Sequence, residues 1–406
     1  MEKTRIGLLI SEMNRGGAER VASILTKILC EDFQVYLIVF EKGKMAYSVS
    51  AEVLDMNIPA KRGVLNKGIL FIRRCRKLIK LTKKYKIDII LSFLDSPNMV
   101  NAFSGRRGIR KFVSIRSYQY MDNKTLHSNA NIVDRIYRIF EKTMISRVER
   151  VIVVSEMLRM TMMGLYPHMQ DKIVTVYNPY DTDLITKLGV EELPEWNAII
   201  EPGDFVFVTL GRLDQPKGLW HLLKIFFYVS KVVPRAKLLL IGDGILKNKI
   251  LETIELYKMT QQVLLVGDQD NPFKYIKKSN MYLLTSVREG FPNALIEAMA
   301  CGIPAICNDC LSGPREILYE KVNYGHQVDN IEYADYGILT PRLSVNEDWE
   351  CLELELEEKT FLEAIITLVN DKNKYDMYCQ LAKKRAQDFS YDACYEVYKK
   401  IILKPI

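Results

Sequence analysis

Residues 194–218 read Pro194-Glu-Trp-Asn-Ala-Ile-Ile-Glu-Pro-Gly-Asp204-Phe-Val-Phe-Val-Thr-Leu210-Gly-Arg-Leu-Asp-Gln-Pro-Lys-Gly218. A polar, turn-forming linker gives way to a continuous apolar run, then to a loop carrying glycine and two cations. An apolar run without alternation fits a strand covered by helices on both faces. Outward from this point, the same kind of run recurs in both directions. Before it stand Ile6–Ile10, Val35–Phe40, Ile87–Phe93, Phe112–Ile115, Val151–Val154 and Ile173–Val176; after it come Leu238–Ile241, Val263–Val266, Met281–Thr285 and Pro304–Cys307. Helical patterns lie between them, such as Ala18, Val21, Ala22, Leu25, Ile28 and Leu29 at three- and four-residue spacing. Strand–helix alternation builds a parallel sheet, and here it happens twice. The expected fold is α/β, with two doubly wound Rossmann-like domains facing across a cleft. Residues 1–190 form the first and 200–385 the second, while 386–406, ending in an amphipathic aromatic helix at Tyr391–Leu403, packs back on the first.

The length of 406 residues exceeds one ordinary core, and 48% hydrophobic with 26% charged residues excludes disordered and low-complexity classes. No apolar run reaches the roughly 18 residues of a spanning helix. The start, Met1-Glu-Lys-Thr-Arg5, enters a strand-like segment without the apolar stretch and cleavage site of a signal peptide. Eight sparse cysteines read as reduced thiols of a cytoplasmic protein. Charge is unevenly spread. Residues 1–180 carry 31 Lys and Arg against 16 Asp and Glu, and the remainder 26 against 34, so the halves are expected to meet different partners. Residues 61–86 alone hold eleven Lys or Arg and no acid, interleaved with Ile69, Leu70, Ile72, Leu78, Ile79 and Leu81. Such a basic amphipathic helix suits an anionic membrane surface, with Arg106, Arg107, Arg110, Lys111 and Arg116 extending the basic face. The plainer reading is a solvated helix whose apolar side packs on its own sheet. No nucleic-acid recognition motif accompanies the charge, so no nucleic-acid partner is expected.

Ligands of open parallel sheets bind outside the carboxyl ends of the strands. Three loops there carry chemistry. Met13-Asn-Arg-Gly-Gly-Ala-Glu-Arg20 joins the first strand to its helix; Gly16 and Gly17 allow close backbone approach, and the helix start favours an anion. A plain turn explains it equally well, and neither a G-x-G-x-x-G fingerprint nor a P-loop occurs. After the strand at 205–210, Arg212 offers a forked donor set and Lys217 a point charge, a pair suited to a diphosphate or else two solvated charges. The third loop, Thr285-Ser-Val-Arg-Glu-Gly-Phe-Pro-Asn293, opens a helix whose freed amides can hold phosphate oxygens. Phosphate repels carboxylates, so Glu289 and Glu297 suit sugar hydroxyls; the alternatives are a capping acid and a solvated helix face.

With these motifs in place, the chain resembles retaining glycosyltransferases of the GT-B fold in the fourth sequence family of such enzymes. Glu289-x7-Glu297, with Gly290-Phe-Pro292 inside and Glu297-Ala-Met-Ala-Cys-Gly302 following, resembles that family's donor motif. Gly211-Arg212 with Lys217-Gly218 resembles its diphosphate clamp and Gly16-Gly17 its glycine loop. Asn271-Pro-Phe-Lys-Tyr275 and Ser312-Gly-Pro-Arg-Glu-Ile317 resemble the branch that builds bacterial capsule, O-antigen and lipid-linked glycans. The resemblance implies a metal-independent retaining hexosyltransferase, with no cofactor, using a nucleotide-sugar donor (a UDP-sugar) and a lipid-linked oligosaccharide acceptor, peripheral on the inner face of the cytoplasmic membrane. It assigns Arg212 and Lys217 to the leaving diphosphate, aided by Gly17 and the amides of Gly290, Phe291, Pro292 and Asn293 as far as each has one. Glu289 takes the transferred sugar, Glu297 the ribose, and Val266 and Gly267 the base. Many relatives place a His at the end of a central first-domain strand; here Arg116 or Ser117 stands there, and Arg116 is expected to contact donor or acceptor, unless it is a structural Arg. An epimerase of the same architecture and an inactive scaffold are the alternative functions.

Asp181-Thr-Asp183 and Asp268-Gln-Asp270 spell D-x-D, a metal motif of another glycosyltransferase fold, outside the strand context that fold needs. Cys307-Asn-Asp-Cys310 lacks a second pair for zinc, and His127, His168, His221 and His326 are scattered. No metal is expected.

Overall fold

The structure, a computed structural model, describes residues 3–14, 16–59, 64–105, 108–116 and 132–404. Arg15, Lys61, Arg62, Arg106, Arg107, Ser117 and His127, all singled out above, lie outside them. The chain folds into two compact units, residues 1–179 with 391–406, and 180–390.

The first unit is built on a parallel seven-stranded sheet, β1 (Arg5–Ile10), β2 (Gln34–Val39), β3 (Glu52–Asp55), β4 (Ile89–Phe93), β5 (Arg110–Ile115), β6 (Arg150–Val153) and β7 (Ile173–Thr175), in the order β3-β2-β1-β4-β5-β6-β7. Alternation within each strand feeds two cores, one on each face. Ile6, Leu8 and Ile10 join Val21, Leu25 and Ile28 of helix Gly17–Ile28, whereas Leu9, Ile38 and Ile90 join Leu70 and Leu78 of helix Val64–Lys84. The last helix, Tyr391–Leu403, places Tyr398 and Ile402 in the first of these cores.

The second unit repeats the plan with β8 (Phe205–Leu210), β9 (Ala236–Ile241), β10 (Val263–Gly267), β11 (Met281–Leu284), β12 (Ala305–Asn308), β13 (Glu332–Ala334) and β14 (Gly337–Thr340), ordered β10-β9-β8-β11-β12-β14-β13. Only the β13–β14 pair is antiparallel. Both sheets reverse their strand order, between β1 and β4 and between β8 and β11, and at such switch points the loops part to leave a crevice.

The boundary falls at 179–180, ahead of the expected 190, and the returning segment starts at 391 rather than 386. The reason is local pairing: Tyr180 N donates to Phe389 O at 2.9 Å, and helix Thr182–Gly189 packs on the helices at Phe273–Lys278 and Asn293–Ala300. Asp181, the first acid of one D-x-D stretch, caps that helix, accepting from Leu184 N at 3.0 Å.

Candidate functional site

The switch point of the second sheet brings together the loop after β8 and the loop after β11. Their junction is backbone on backbone. Val287 N donates to Pro216 O at 2.9 Å, and Thr285 Oγ1 to Lys217 O at 3.3 Å. Gly218 sits in the left-handed region (φ 59°), and a Cβ there would lie 2.2 Å from the Thr285 carbonyl oxygen, so only glycine closes the contact. The loop after β9 joins them: Leu213 N donates to Asp243 O at 3.0 Å, and Gly242 N to Gly267 O, at the end of β10, at 2.8 Å.

On this frame Lys217 and Glu289 meet. Lys217 Nζ donates to Glu289 Oε1 at 2.7 Å, and Ser286 Oγ donates to the same oxygen at 2.7 Å. Burial by itself lowers the Lys217 ammonium, but the Glu289 and Asp214 carboxylates outweigh it and hold the group above its ordinary value. Glu289 is therefore no helix cap. Arg212 extends from the same loop with 76% of its side chain exposed and pairs with Asp214 at 2.8 Å. Burial keeps the Asp214 carboxyl above its usual range although Arg212 and Lys217 pull it down. The two cations thus stand at one strand end, Lys217 largely enclosed and Arg212 open to solvent.

Helix Asn293–Ala300 begins after Pro292 with no side-chain cap on its first turn. Glu297, on that helix, is 3% exposed, which removes the reading of it as a solvated face. Phe291 is buried edge-on to Phe389 at 5.6 Å between ring centres, and Asn293 Oδ1 accepts from Tyr180 at 2.5 Å. Gly290 O accepts from Ser312 Oγ at 2.6 Å, which ties the loop after β12 to the site. Val266 and Gly267 end β10, two strands from β8.

Asp214, Ser286 and Asn308 join the site without any of the sequence motifs assigning them a role there. Asn308 is buried at the end of β12 and donates to Ser286 O at 3.0 Å, so it positions the serine that holds Glu289. Asp214 lies between Arg212 and Lys217, and an acid between two cations of one loop is the signal that marks it. Cys301, Cys307 and Cys310 are buried, and burial pushes the Cys307 and Cys310 thiols well above their ordinary value. Among the described residues no three His, Cys, Asp or Glu side chains gather as a metal set.

In the first unit, Gly16 and Gly17 open helix Gly17–Ile28, where Arg20 N donates to Gly16 O at 3.0 Å. Arg116 follows β5 and stands near Phe93, 5.9 Å from its ring centre, with Asn178 Oδ1 and Ser114 Oγ as acceptors. Neither of these two acceptors is a carboxylate. Helix Val64–Lys84 realises the basic segment with two departures. Arg74 is buried, donating to Ile58 O at 2.9 Å over the Phe40 ring, while Ile69 and Ile72 are exposed among cations. Among the described residues no helix is long and apolar enough to cross a membrane.

The model of the family described as Glycosyltransferase Family 4 matches residues 15–184, and that described as Glycosyl transferases group 1 matches residues 194–332. An uncharacterised glycosyltransferase of Methanocaldococcus jannaschii is 31% identical over 347 residues, 82% of this chain and 83% of the relative. Over 393 residues, 95% of both chains, the sequence is 26% identical to the N-acetylgalactosamine-N,N'-diacetylbacillosaminyl-diphospho-undecaprenol 4-alpha-N-acetylgalactosaminyltransferase of Campylobacter jejuni. Among solved structures, Anabaena HepE in complex with UDP superposes with a TM-score of 0.72 at 16% identity, covering 98% of this chain and all of that one. That likeness is one of fold.

Proposed function

The chain belongs to the group 1, family 4 glycosyltransferases, and on that premise we propose that it transfers a hexose or N-acetylhexosamine from a UDP-sugar, with retention, to a hydroxyl of an undecaprenyl-diphosphate-linked bacterial surface glycan. The observation that carries the reading is the Lys217–Glu289 contact of 2.7 Å across the switch point of the second sheet. It sets a fixed cation for a departing diphosphate beside a carboxylate for sugar hydroxyls. In the proposed step the bond from the anomeric carbon to the diphosphate oxygen breaks. A bond to the acceptor oxygen forms on the same face, and the acceptor proton passes to the leaving diphosphate. Arg212 and Lys217 take up the charge that develops there, a strong catalytic term because they are already in place. The open first turn of helix Asn293–Ala300 holds phosphate oxygens.

Glu289 is assigned to the transferred sugar, Glu297 to the ribose, Val266 and Gly267 to the base, and Arg116 to the acceptor. The glycine pair 16–17 keeps its assignment to an anion. With two protein cations at the diphosphate, the reaction is proposed to need no metal. The acceptor class is supported by the diphospho-undecaprenol in the name of the Campylobacter relative, and the donor nucleotide by the UDP bound in Anabaena HepE. The basic helix of the first unit is proposed to hold the enzyme against the inner face of the cytoplasmic membrane.

The test is binding and slow hydrolysis of UDP-, GDP- and dTDP-sugars without acceptor and in chelator, comparing wild type with Glu289→Ala. Selective use of one UDP-sugar, lost in the variant, is expected. Strict dependence on a divalent ion, or no binding of any donor, overturns the donor site as drawn.

A further inference from the structure

Asp214 is the one acid of the loop 211–218, and its surroundings remove the ordinary reasons for a carboxylate there. It precedes the short 3-10 turn Gln215–Lys217, where an aspartate commonly caps by accepting from a backbone amide, yet its side chain makes no such bond. Backbone closes the turn instead: Lys217 N donates to Asp214 O at 3.1 Å, and Asp214 N to Arg212 O at 2.9 Å. One carboxylate oxygen, Oδ1, is buried without a hydrogen-bond partner among the described residues. A buried acceptor left unpaired costs stability, so the fold gains nothing from it. What the carboxylate does meet is charge. Its Oδ2 lies 2.8 Å from Arg212 Nη2. Burial raises its carboxyl, Arg212 and Lys217 lower it, and Glu289 raises it again.

The pair is lopsided. The Asp214 side chain is 17% exposed and that of Arg212 76%, so the acid is enclosed while water and any anion at the loop compete with it for the guanidinium. A diphosphate drawn to this loop therefore meets a carboxylate as well as two cations. Lys217 stays beside Glu289 and supplies a constant attraction. Arg212 has to be drawn from Asp214, and a largely buried carboxylate that loses its cation is left in an unfavourable state. That penalty is absent from the empty site, so it weakens every diphosphate bound there, the nucleotide product included.

We propose that Asp214 is a positioning residue that holds Arg212 in the empty site and competes with the diphosphate for it, limiting the affinity of the clamp so that the nucleotide product leaves. The inference rests on the donor site of the proposed reaction and adds what sets its affinity. Release of product limits turnover in many enzymes, and a clamp of two unopposed cations would slow it.

The test is calorimetric titration of UDP, in chelator, into wild type, Asp214→Asn, Asp214→Ala, and each of the three with Arg212→Ala added. Both single Asp214 variants are expected to bind UDP roughly fivefold or more tightly than wild type, a direction that a merely structural loss does not produce. In steady state the donor KM and the inhibition constant of UDP should fall by the same factor, with kcat unchanged or lower. With Arg212→Ala present, removing the carboxylate should gain less than about twofold, because no guanidinium is left to compete for. Asp214→Asn keeps the shape of the side chain and serves should Asp214→Ala fold poorly. Weaker UDP binding in the variants overturns the competition and makes Asp214 a simple support for Arg212. An equal gain in the Arg212→Ala background overturns it in favour of plain charge repulsion, and a gain with Asn but not with Ala in favour of an amide that donates to phosphate. Wild type that binds neither UDP nor any nucleotide sugar removes the donor site itself, whereas unchanged affinity in variants of a UDP-binding protein removes this inference alone.

Discussion

Lys217 and Arg212 come from one loop, yet their surroundings differ. Lys217 is held by Glu289 and passes over Gly211, where a Cβ would lie 2.9 Å from its Cε, so the glycine leaves it room. Arg212 reaches into solvent beside Asp214. An enclosed cation is pre-organised for charge that develops on the leaving group, whereas water competes for a solvent-exposed one. Lys217→Ala is therefore expected to cost roughly 3–4 kcal/mol of transition-state stabilisation, on the order of 10²–10³-fold in kcat, the scale of one lost oxyanion donor. Arg212→Ala should cost less and fall more on KM. Steady-state kinetics with saturating acceptor measures both, and equal losses on kcat would show that the two cations act as one unit. The acids follow the same physics: Asp181 spells half of a metal motif but uses its carboxylate to cap a helix start, whereas Glu289 places its own on a cation.

At the scale of elements, the helix that follows the diphosphate loop, Leu219–Val232, is held by a buried ionic cluster. His221 Nδ1 lies 2.5 Å from Glu358 Oε1, and Nε2 lies 2.8 Å from Ser344 O; Lys224 Nζ lies 3.1 Å from the same Glu358 oxygen. Glu358 also accepts from the Glu355 amide at 2.8 Å, closing a capping box on helix Leu356–Asn370. Burial by itself raises the Glu358 carboxyl, but the His221, Glu355 and Lys224 contacts outweigh it and hold the group below its ordinary value. A depressed carboxyl contributes stability that is fully present above the ordinary glutamate range, near pH 4.3, and is lost as pH falls through the folded value. Glu358→Gln should lower stability by about 3–5 kcal/mol at neutral pH, because buried Lys224 loses its counter-charge and buried His221 its carboxylate partner. It should also flatten the acid slope. Urea unfolding between pH 3 and 7 reads both, and an unchanged slope would mean that other carboxylates carry it. None of this cluster was legible in the sequence, because 137 residues separate His221 from Glu358 and nothing local marks their meeting. Eleven of the strands were legible, since continuous apolar runs leave few alternatives. Strands β3, β13 and β14 were not: the edge strands β3 and β13 have only three or four residues with exposed polar positions, and the four buried residues of β14 carry too little pattern. Of the donor site, the charged residues and their glycines could be read from spacing after strands. Ser286 and Asn308 could not, because small polar residues acquire a role only once the loops are folded against each other.

The whole molecule separates its charge, with 31 basic against 16 acidic residues over 1–180 and the reverse excess beyond. Part of the basic total is spent inside the fold. Arg74 donates to Ile58 O, Lys111 to Ala102 O at 3.3 Å, and Arg110 pairs with Glu149 while reaching the Ile402 carbonyl of the last helix. A surface role therefore falls on the remainder, chiefly Arg73, Arg76, Lys80, Lys83 and Lys84, which are exposed on helix Val64–Lys84 together with Ile69 and Ile72. Cations near an anionic bilayer contribute about 1 kcal/mol each, and the effect fades beyond a Debye length of roughly 8–10 Å at physiological salt. Reversing these five charges to Glu, with Arg74 left in place so that the fold is spared, is expected to abolish sedimentation with vesicles containing anionic phospholipid. Ile69→Ser with Ile72→Ser should weaken it several-fold, and half-molar salt should release wild type. Donor hydrolysis in solution should be unchanged in both variants, since the clamp at Lys217 and Glu289 lies in the other unit. Vesicle binding that survives charge reversal would mean that this helix is a solvated face and that some other surface meets the lipid.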